Sequence, residues 1–379
     1  MLATKGYSKA SASFFILIFV AGLLVGGMLL YYTNFLQLNG LNEQLAELQS
    51  QVSALQGNQN ATYQNITIVQ NETSLADIYS NVRQSVVLIQ GETPDAGVQG
   101  SGFVYYAEGR NVILTNYHVV EGTTSLSVTF HDGMGYSATI LGTDPYSDLA
   151  VLSVNDAPES KFKPLTIVSS STLREGEQVI AIGNPYGLVG SLTTGVVSAL
   201  GRTITEDTAG GFSIANIIQT STPINPGNSG GPLLNAAGNV VGITTAIVSN
   251  SQGLGFAIPS NTMLREISAL IETGTYSGHS YLGVTGRDMS YSLAQEVGAN
   301  VTYGWQIASV TRGAPSDGKL LVGDIVIALD GQRITNNDDL ASYLEEHTLP
   351  GGTLIITVMR GSEQVDVSVV LGTRPAPTT

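Results

Sequence analysis

At the centre of the stretch "INPGNSGGPLLNAAGNVVGI", Ile224 to Ile243, three glycines surround one serine, Ser229. Glycine allows backbone conformations that other residues avoid, so the run predicts a sharp loop that presents the Ser229 hydroxyl. The same freedom lets the N–H groups of Gly227 and Ser229, together with that of Asn228, turn towards one point. The apolar runs "GPLL" and "NVVGI" predict strands on either side of a turn. A nucleophilic serine also needs a base, a group that orients the base, and donors for an oxyanion.

His118 is a candidate base and lies at the end of an apolar strand predicted from the run "ILTNYHVV". A histidine in this place can also be a buried core residue, but strand ends are where a rigid scaffold presents reactive groups. The orienting acid has two candidates in "GTDPYSDLAVL". Asp144 precedes a proline, which favours a turn-forming role. Asp148 opens the apolar strand "LAVLSV" and is the preferred partner of His118.

Short strands separated by glycine or aspartate turns fill the chain from about residue 74. Two runs of about six strands, with no helix between them, predict two packed antiparallel barrels, and "HDGMG" at 131–135 predicts a hairpin turn in the first. A helix is predicted over 260–274, capped by Ser260 or Asn261 and ended by Gly274. The segment "TYSGHS" has the composition of a hinge, and residues 281–373 predict a smaller mixed unit.

The N-terminal region predicts a membrane anchor. Residues 14–32 carry no charge and are long enough to cross a bilayer as a helix. Lys5 and Lys9 precede this run, which predicts a cytoplasmic N-terminus at 1–13 and an extracytoplasmic remainder. The alternative is a cleaved signal peptide, but the run is long for one and no clear cleavage site follows it.

Residues 33–73 predict a stalk and linker. Apolar residues spaced by threes and fours indicate a short coiled coil, with an amphipathic helix on the protein's own body as the alternative; they are Leu38, Leu41, Leu45, Leu48, Val52 and Leu55. Sequons for N-glycosylation start at Asn60, Asn65, Asn71 and Asn300, although an Asn- and Thr-rich linker also produces them by chance.

Composition narrows the classes of function. The chain has 379 residues, enough for two or three domains, and its net charge of −15 without any basic cluster argues against nucleic-acid binding. It has no cysteine, so thiol catalysis and Cys-ligated zinc are excluded. Four histidines without paired spacing give a metal site little support.

Six motifs in order give a specific resemblance. They are "TNYHVV", "SDLAVL", "GNPYGL", "TTGVVSALGR", "NPGNSGGPLLN" and "GFAIPSN". Together they resemble the HtrA/Deg family of trypsin-like serine proteases over about residues 74–373. The stretch "QTSTPINPGNSGG" departs from the family pattern, because Ser221 stands where the family usually has an acid and Pro223 is added. This departure puts the regulatory contacts of the oxyanion loop in doubt, not the catalytic residues.

The resemblance implies a mainly β chain with a chymotrypsin-like double-barrel protease domain at 74–275 and one PDZ domain at 281–373. It implies a triad of His118, Asp148 and Ser229 and an oxyanion hole from Gly227 to Ser229. It also implies homotrimers, no cofactor, and cleavage of unfolded or misfolded proteins after small aliphatic residues. Ile243 and residues near Ala246 are expected to wall the substrate pocket.

The predicted PDZ domain has its own candidate site. The run "YLGV" (Tyr281, Leu282, Gly283 and Val284) resembles a carboxylate-binding loop, whose N–H groups hold a peptide C-terminus while the peptide adds as a strand. Leu340 and Leu344 would wall its side-chain pocket. The alternative is that "YLGV" is only an edge strand.

Three functions are compatible with these features. The first is a membrane-anchored serine endopeptidase for extracytoplasmic proteins, with peptide recognition or regulation by its PDZ domain. The second is a PDZ-led binding or chaperone protein with a latent protease domain. The third, a coiled-coil adhesin, rests only on the stalk and leaves the complete triad motifs unexplained.

Overall fold

The computed structural model describes residues 74–184, 190–205, 213–225, 227–245 and 254–376, together with 22, 25–29, 44 and 46–47. The chain divides into two units, residues 1–72 and 73–379. In the first unit residues 25–29 are helical, and most of the predicted anchor and stalk, with three of the four sequons, lies outside the described residues. Among the described helices none has both the length and the apolar character needed to cross a bilayer. The anchor and the coiled coil stay predictions.

The second unit begins with helix α1 (Leu75–Val82) and a closed six-stranded barrel. Its strands run in the order β1-β2-β3-β6-β5-β4: β1 (Val86–Glu92), β2 (Gly97–Ala107), β3 (Arg110–Thr115), β4 (Ser125–Thr129), β5 (Gly135–Asp144) and β6 (Leu149–Val154). β-Branched and aromatic residues point alternately inward and form a buried cluster that includes Val87, Ile89 and Ile113. Thr129 pairs with Gly135, so the predicted hairpin at 131–135 is confirmed.

A second closed barrel follows and confirms the predicted pair. Its order is β10-β11-β12-β9-β8-β7: β7 (Gln178–Gly183), β8 (Ser191–Thr205), β9 (Ser213–Thr220), β10 (Pro232–Asn235), β11 (Val240–Thr245) and β12 (Gly255–Pro259). Closure removes the free strand edges that would otherwise invite aggregation. Ile243 is fully buried in the core. The expectation that it walls the substrate pocket is therefore wrong, while Ala246 lies outside the described residues.

Two further helices follow strands of the barrels. The single turn α2 (Tyr117–Val120) follows β3, and α3 (Ser260–Thr273) follows β12. The expected end of α3 is confirmed, because Gly274 has a φ of 83° in the left-handed region that glycine favours. The expected cap is wrong. Pro259 is the cap position, and the Ser260 hydroxyl donates instead to the Val168 carbonyl at 2.6 Å.

The C-terminal domain is a small mixed structure with a six-stranded sheet in which β14 is an edge strand. Its strands are β13 (Ser280–Tyr281), β14 (Val284–Asp288), β15 (Trp305–Val310), β16 (Ile325–Leu329), β17 (Gln332–Arg333), β18 (Thr353–Arg360), β19 (Glu363–Val370) and β20 (Gly372–Thr373). Helices α4 (Tyr291–Val297) and α5 (Asn337–His347) complete this domain, in agreement with the mixed unit predicted from sequence.

Candidate active site

Ser229 lies in the loop between β9 and β10 and is 5% exposed. Gly227 and Gly230 have φ angles of 95° and 84°, which only glycine adopts readily. A Cβ on Gly230 would also collide with the Ser101 carbonyl oxygen of the first barrel. The glycines therefore allow the sharp turn that the sequence indicated, and Gly230 also allows the loop to approach the other barrel closely.

Hydrogen bonds within the second barrel hold this loop. The Asn228 N–H donates to the Asn225 carbonyl at 2.9 Å, and the Gly231 N–H donates to the Asn228 carbonyl at the same distance. Thr244 of β11 donates its hydroxyl to the Asn228 carbonyl at 2.7 Å and accepts the Gly230 N–H through its own carbonyl at 2.9 Å. Because the Asn228 N–H is used inside the loop, the predicted oxyanion donors reduce to Gly227 and Ser229.

His118 and Asp148 form a closely paired unit in the first barrel. The His118 Nδ1 lies 2.9 Å and 3.0 Å from the two Asp148 carboxylate oxygens, and the His118 backbone N–H donates to the same carboxylate at 2.9 Å. Asp148 is fully buried, whereas the His118 side chain is 22% exposed. Asp148 directly precedes β6 and has a φ of 51°. Its backbone therefore takes a left-handed turn conformation, in which the carboxylate reaches the histidine. The choice of Asp148 over Asp144 agrees with this geometry.

A residue that the sequence did not indicate completes the environment of Asp148. The Thr245 hydroxyl, from the second barrel, donates to Asp148 Oδ2 at 3.1 Å. Thr245 is 1% exposed. It follows Thr244, the residue that braces the Ser229 loop, so one strand supports both the acid and the serine loop. Nothing in the local sequence predicts a contact between residues 97 positions apart.

Gly100 of β2 shows how close the two halves of the site are. A Cβ at Gly100 would lie 2.6 Å from the Val119 side chain and 3.2 Å from the Ser229 carbonyl oxygen. Val119 follows His118 in α2. The turn that carries His118 and the backbone of Ser229 therefore face the same glycine, so the two barrels come together at this point.

The predicted peptide site of the C-terminal domain is a groove. Tyr281 ends β13, Val284 begins β14, and Gly283 between them has a φ of 77°. A cavity of about 270 Å³ adjoins this segment, with Leu340 and Leu344 of α5 on its other side. Residues of the second barrel also line it, namely Thr203, Ser213 and Ala215. The groove thus lies beside the start of the edge strand β14 and is bounded by both domains.

A buried ionic cluster, also missed from sequence, joins the two domains. His279 lies in the segment expected to be a hinge, yet it is 4% exposed. Its Nε2 is 2.6 Å from Asp144 Oδ2, and its Nδ1 is 3.2 Å from Glu345 Oε2 on α5. Arg265 of α3 pairs with both Glu345 and Glu266. The hinge expectation is wrong, because these contacts pin the linker to the first barrel and to α5.

The charges of this cluster follow from burial and pairing. Burial disfavours a charged His279, but its bonds to Asp144 and Glu345 outweigh that effect and raise its pKa to about 10. Burial would raise the pKa of Glu345, yet His279 and Arg265 lower it to about 2. Burial, reinforced by the nearby Asp144 carboxylate, raises the pKa of Glu266 well above its usual value, although His279 and Arg265 oppose this shift.

Family comparisons agree with this arrangement. A model of the trypsin-like peptidase domain matches residues 100–243, and a model of the PDZ domain matches residues 280–371. The first match contains the Ser229 loop and the His118–Asp148 pair. The second contains the groove beside "YLGV".

Curated relatives are similar over most of the described chain. Protease Do-like 1 of Arabidopsis thaliana chloroplasts is 36% identical over 73% of this chain and 64% of its own length. The serine protease Do-like HtrA of Bacillus subtilis is 37% identical over 72% of this chain and 63% of its own length. The chain thus spans less than two thirds of the length of these relatives.

A solved structure matches over its whole length. The HtrA-type protease AlgW with a decapeptide superposes with a TM-score of 0.63 at 33% identity, and the alignment covers 80% of this chain and 100% of that one. With its two barrels, its C-terminal PDZ domain and these similarities, the chain belongs to the HtrA family of trypsin-like serine proteases.

Proposed function

We propose that the protein is a serine endopeptidase that uses Ser229 as nucleophile and His118 as general base and acid. Asp148 would hold the His118 ring in the tautomer that accepts the serine proton, and would stabilise the imidazolium that forms. The N–H groups of Gly227 and Ser229 would bind the oxyanion. His118 would then protonate the leaving amine, and water would hydrolyse the acyl-enzyme.

The observation that supports this function best is the environment of Asp148. A fully buried carboxylate contacts His118 through both oxygens and accepts a further hydrogen bond from Thr245. A buried charge is costly unless it is paired and hydrogen-bonded, so this arrangement needs a reason. Orientation of a catalytic histidine beside a glycine-rich serine loop provides one.

The proposed substrates are unfolded or misfolded proteins outside the cytoplasm. Relatives carry the name of probable periplasmic serine endoprotease, which supports protein substrates and this compartment; the unfolded or misfolded state of the substrates rests on the family resemblance. The PDZ groove would bind peptide C-termini by adding them to the edge strand β14, as PDZ domains do. Barrel residues line the same groove, which supports regulation of the protease by the bound peptide.

Assembly and location rest on the sequence. We propose a single-pass anchor at residues 14–32 with a cytoplasmic N-terminus, because this segment is apolar and preceded by lysines. The heptad spacing from Leu38 to Val52 and Leu55 supports a short coiled coil, and the family resemblance supports a homotrimer. No cofactor takes part in the proposed mechanism.

Casein digestion tests the proposed activity. Full-length protein in detergent is compared with Ser229→Ala, with and without a peptide that ends in a hydrophobic residue and a free carboxylate. Cleavage by the wild type alone, increased by the peptide, is the expected result. If both proteins bind the peptide and neither cleaves casein, the protein is instead a PDZ-led binding protein with a latent protease domain.

A further inference from the structure

Ser101 is a fully buried residue of the first barrel that reaches the serine loop of the second. It belongs to β2, in the run "GSGF" at 100–103. Its carbonyl accepts the Thr115 hydroxyl at 2.7 Å, which fixes Ser101 against the neighbouring strand β3. The remaining polar groups of Ser101, its N–H and its hydroxyl, face the second barrel.

Three hydrogen bonds join Ser101 to the second barrel. Its N–H donates to the Ser229 carbonyl at 2.7 Å, and its hydroxyl donates to the Gly227 carbonyl at 2.6 Å. The same hydroxyl oxygen accepts the Asn184 N–H at 2.8 Å, just after β7. One residue therefore holds the carbonyls of both residues whose N–H groups are the proposed oxyanion donors.

These bonds fix the peptide planes that directly follow the two donor residues. The peptide group between Gly227 and Asn228 is planar. Its oxygen is held by Ser101, and its N–H is held by the Asn225 carbonyl. The peptide between Ser229 and Gly230 is held in the same way. The Ser101 N–H donates to its oxygen, and the Thr244 carbonyl accepts its N–H.

The bond from the Ser101 hydroxyl to the Gly227 carbonyl is important because the Gly227 backbone is conformationally free. With a φ of 95° and no side chain, this residue lacks the steric barriers that would keep its N–H in one direction. The bond from the Ser101 hydroxyl holds the carbonyl side of Gly227 and so limits how this residue can rotate. The Ser101 N–H cannot do so, because it is already bonded to Ser229.

We infer that Ser101 is a positioning residue for the oxyanion hole, and that its hydroxyl holds the Gly227–Asn228 peptide, which lies between the two donor N–H groups. This inference rests on the proposed protease function. Ser101 contacts neither substrate nor the reacting atoms in this role; it acts through Gly227. The competing explanation is that the hydroxyl only clamps the two barrels together and contributes to stability alone.

A matched pair of variants separates positioning from clamping. Ser101→Ala removes a buried hydroxyl that donates to a carbonyl at 2.6 Å, and Ser260→Ala removes another fully buried hydroxyl with the same 2.6 Å bond, to Val168. Both variants lose a donated hydrogen bond of the same kind, and Ser101→Ala also loses the bond that the hydroxyl accepts from the Asn184 N–H, so both are expected to melt at a lower temperature and Ser101→Ala at the lower of the two. Only the first bond touches the serine loop.

Kinetics with an internally quenched peptide provide the decisive measurement. Deletion of a whole oxyanion donor costs about 100- to 1000-fold in kcat. Ser101→Ala keeps both donor N–H groups and releases only the peptide between them, so we expect kcat to fall by at least about tenfold while KM changes by less than about threefold. The affinity for a peptide boronate, which mimics the tetrahedral intermediate, should fall in parallel with kcat. Ser260→Ala should keep wild-type kcat and boronate affinity.

A second variant, Ser101→Cys, allows the test to be made if Ser101→Ala does not fold. The thiol fills the space of the hydroxyl but is a weak donor, so it should also lower kcat and boronate affinity. The inference is overturned if the folded Ser101 variants keep wild-type kcat, or if kcat and boronate affinity fall equally in Ser260→Ala. A wild type that does not cleave, or a Ser229→Ala variant that does, would contradict the proposed function instead.

Discussion

Substitution of Gly230 by alanine should inactivate the protein through the backbone. The Gly230 φ is 84°, so any side chain there is strained, at a cost of about 1–2 kcal/mol. A Cβ at this position would also lie 2.0 Å from the Ser101 carbonyl oxygen, whereas real Cβ atoms keep about 3.0 Å. The loop or β2 must therefore move by about 1 Å. Misplacement of a catalytic group by that distance can cost about 100-fold in rate.

Gly238 offers a control with the same backbone strain and no collision. Its φ is 79°, it lies in the turn between β10 and β11, and a Cβ there would meet its nearest neighbour, the Ile78 side chain, at 3.5 Å. Gly238→Ala should cost only the conformational strain of about 1–2 kcal/mol and keep its activity. Gly230→Ala should lose about 1–3 kcal/mol more from overpacking, and at least about 100-fold in kcat.

Thermal unfolding followed by circular dichroism, and hydrolysis of a quenched peptide, measure both effects on the same preparations. Each kcal/mol should lower the melting temperature by about 2–4 °C for a domain of this size. Equal kcat values for the two variants would refute the reasoning, because the collision with Ser101 would then have no effect on the serine loop.

Three further changes test other contacts. Thr245→Val removes the hydroxyl bonded to Asp148 and should lower kcat/KM by about tenfold in steady-state assays; an unchanged value would mean that this bond does not orient the triad. The pKa of His279 is raised from 6.5 to about 10, so its stabilisation is full below about pH 6.5 and is lost as the pH rises towards 10. His279→Gln should therefore lower the melting temperature strongly at pH 6 and little near pH 10, and a pH-independent difference would argue against the charged form. Val284→Asp should weaken binding of a hydrophobic C-terminal peptide, measured by fluorescence anisotropy, at least about tenfold relative to the exposed control Val370→Asp, and equal affinities would place the peptide elsewhere.

The sequence predicted the parts of the site that have local signatures. Ser229 stands out because glycines are grouped around it, and Asp148 was preferred to Asp144 because it opens an apolar strand. Asp144 does take the expected turn role, since its carboxylate accepts the Tyr146 N–H at 3.0 Å. The same carboxylate also pairs with His279, 135 residues later, which no local pattern indicates.

The parts that were missed depend on contacts between distant segments. Ser101 and Thr245 read as ordinary strand residues, and only the packing of one barrel on the other gives their hydroxyls a role. The hinge prediction failed for the same reason, because the glycine in "TYSGHS" suggested freedom while the burial of His279 removes it. The donor role of Asn228 failed because its N–H closes a turn within the loop itself.

The most direct test of the proposed mechanism is covalent labelling of the full-length protein with a fluorophosphonate, followed by peptide mass spectrometry. The mechanism predicts one label per chain, on Ser229, and strongly reduced labelling in His118→Ala because the serine then lacks its base. Labelling of a different residue, or equal labelling of Ser229 in the wild type and His118→Ala, would contradict it.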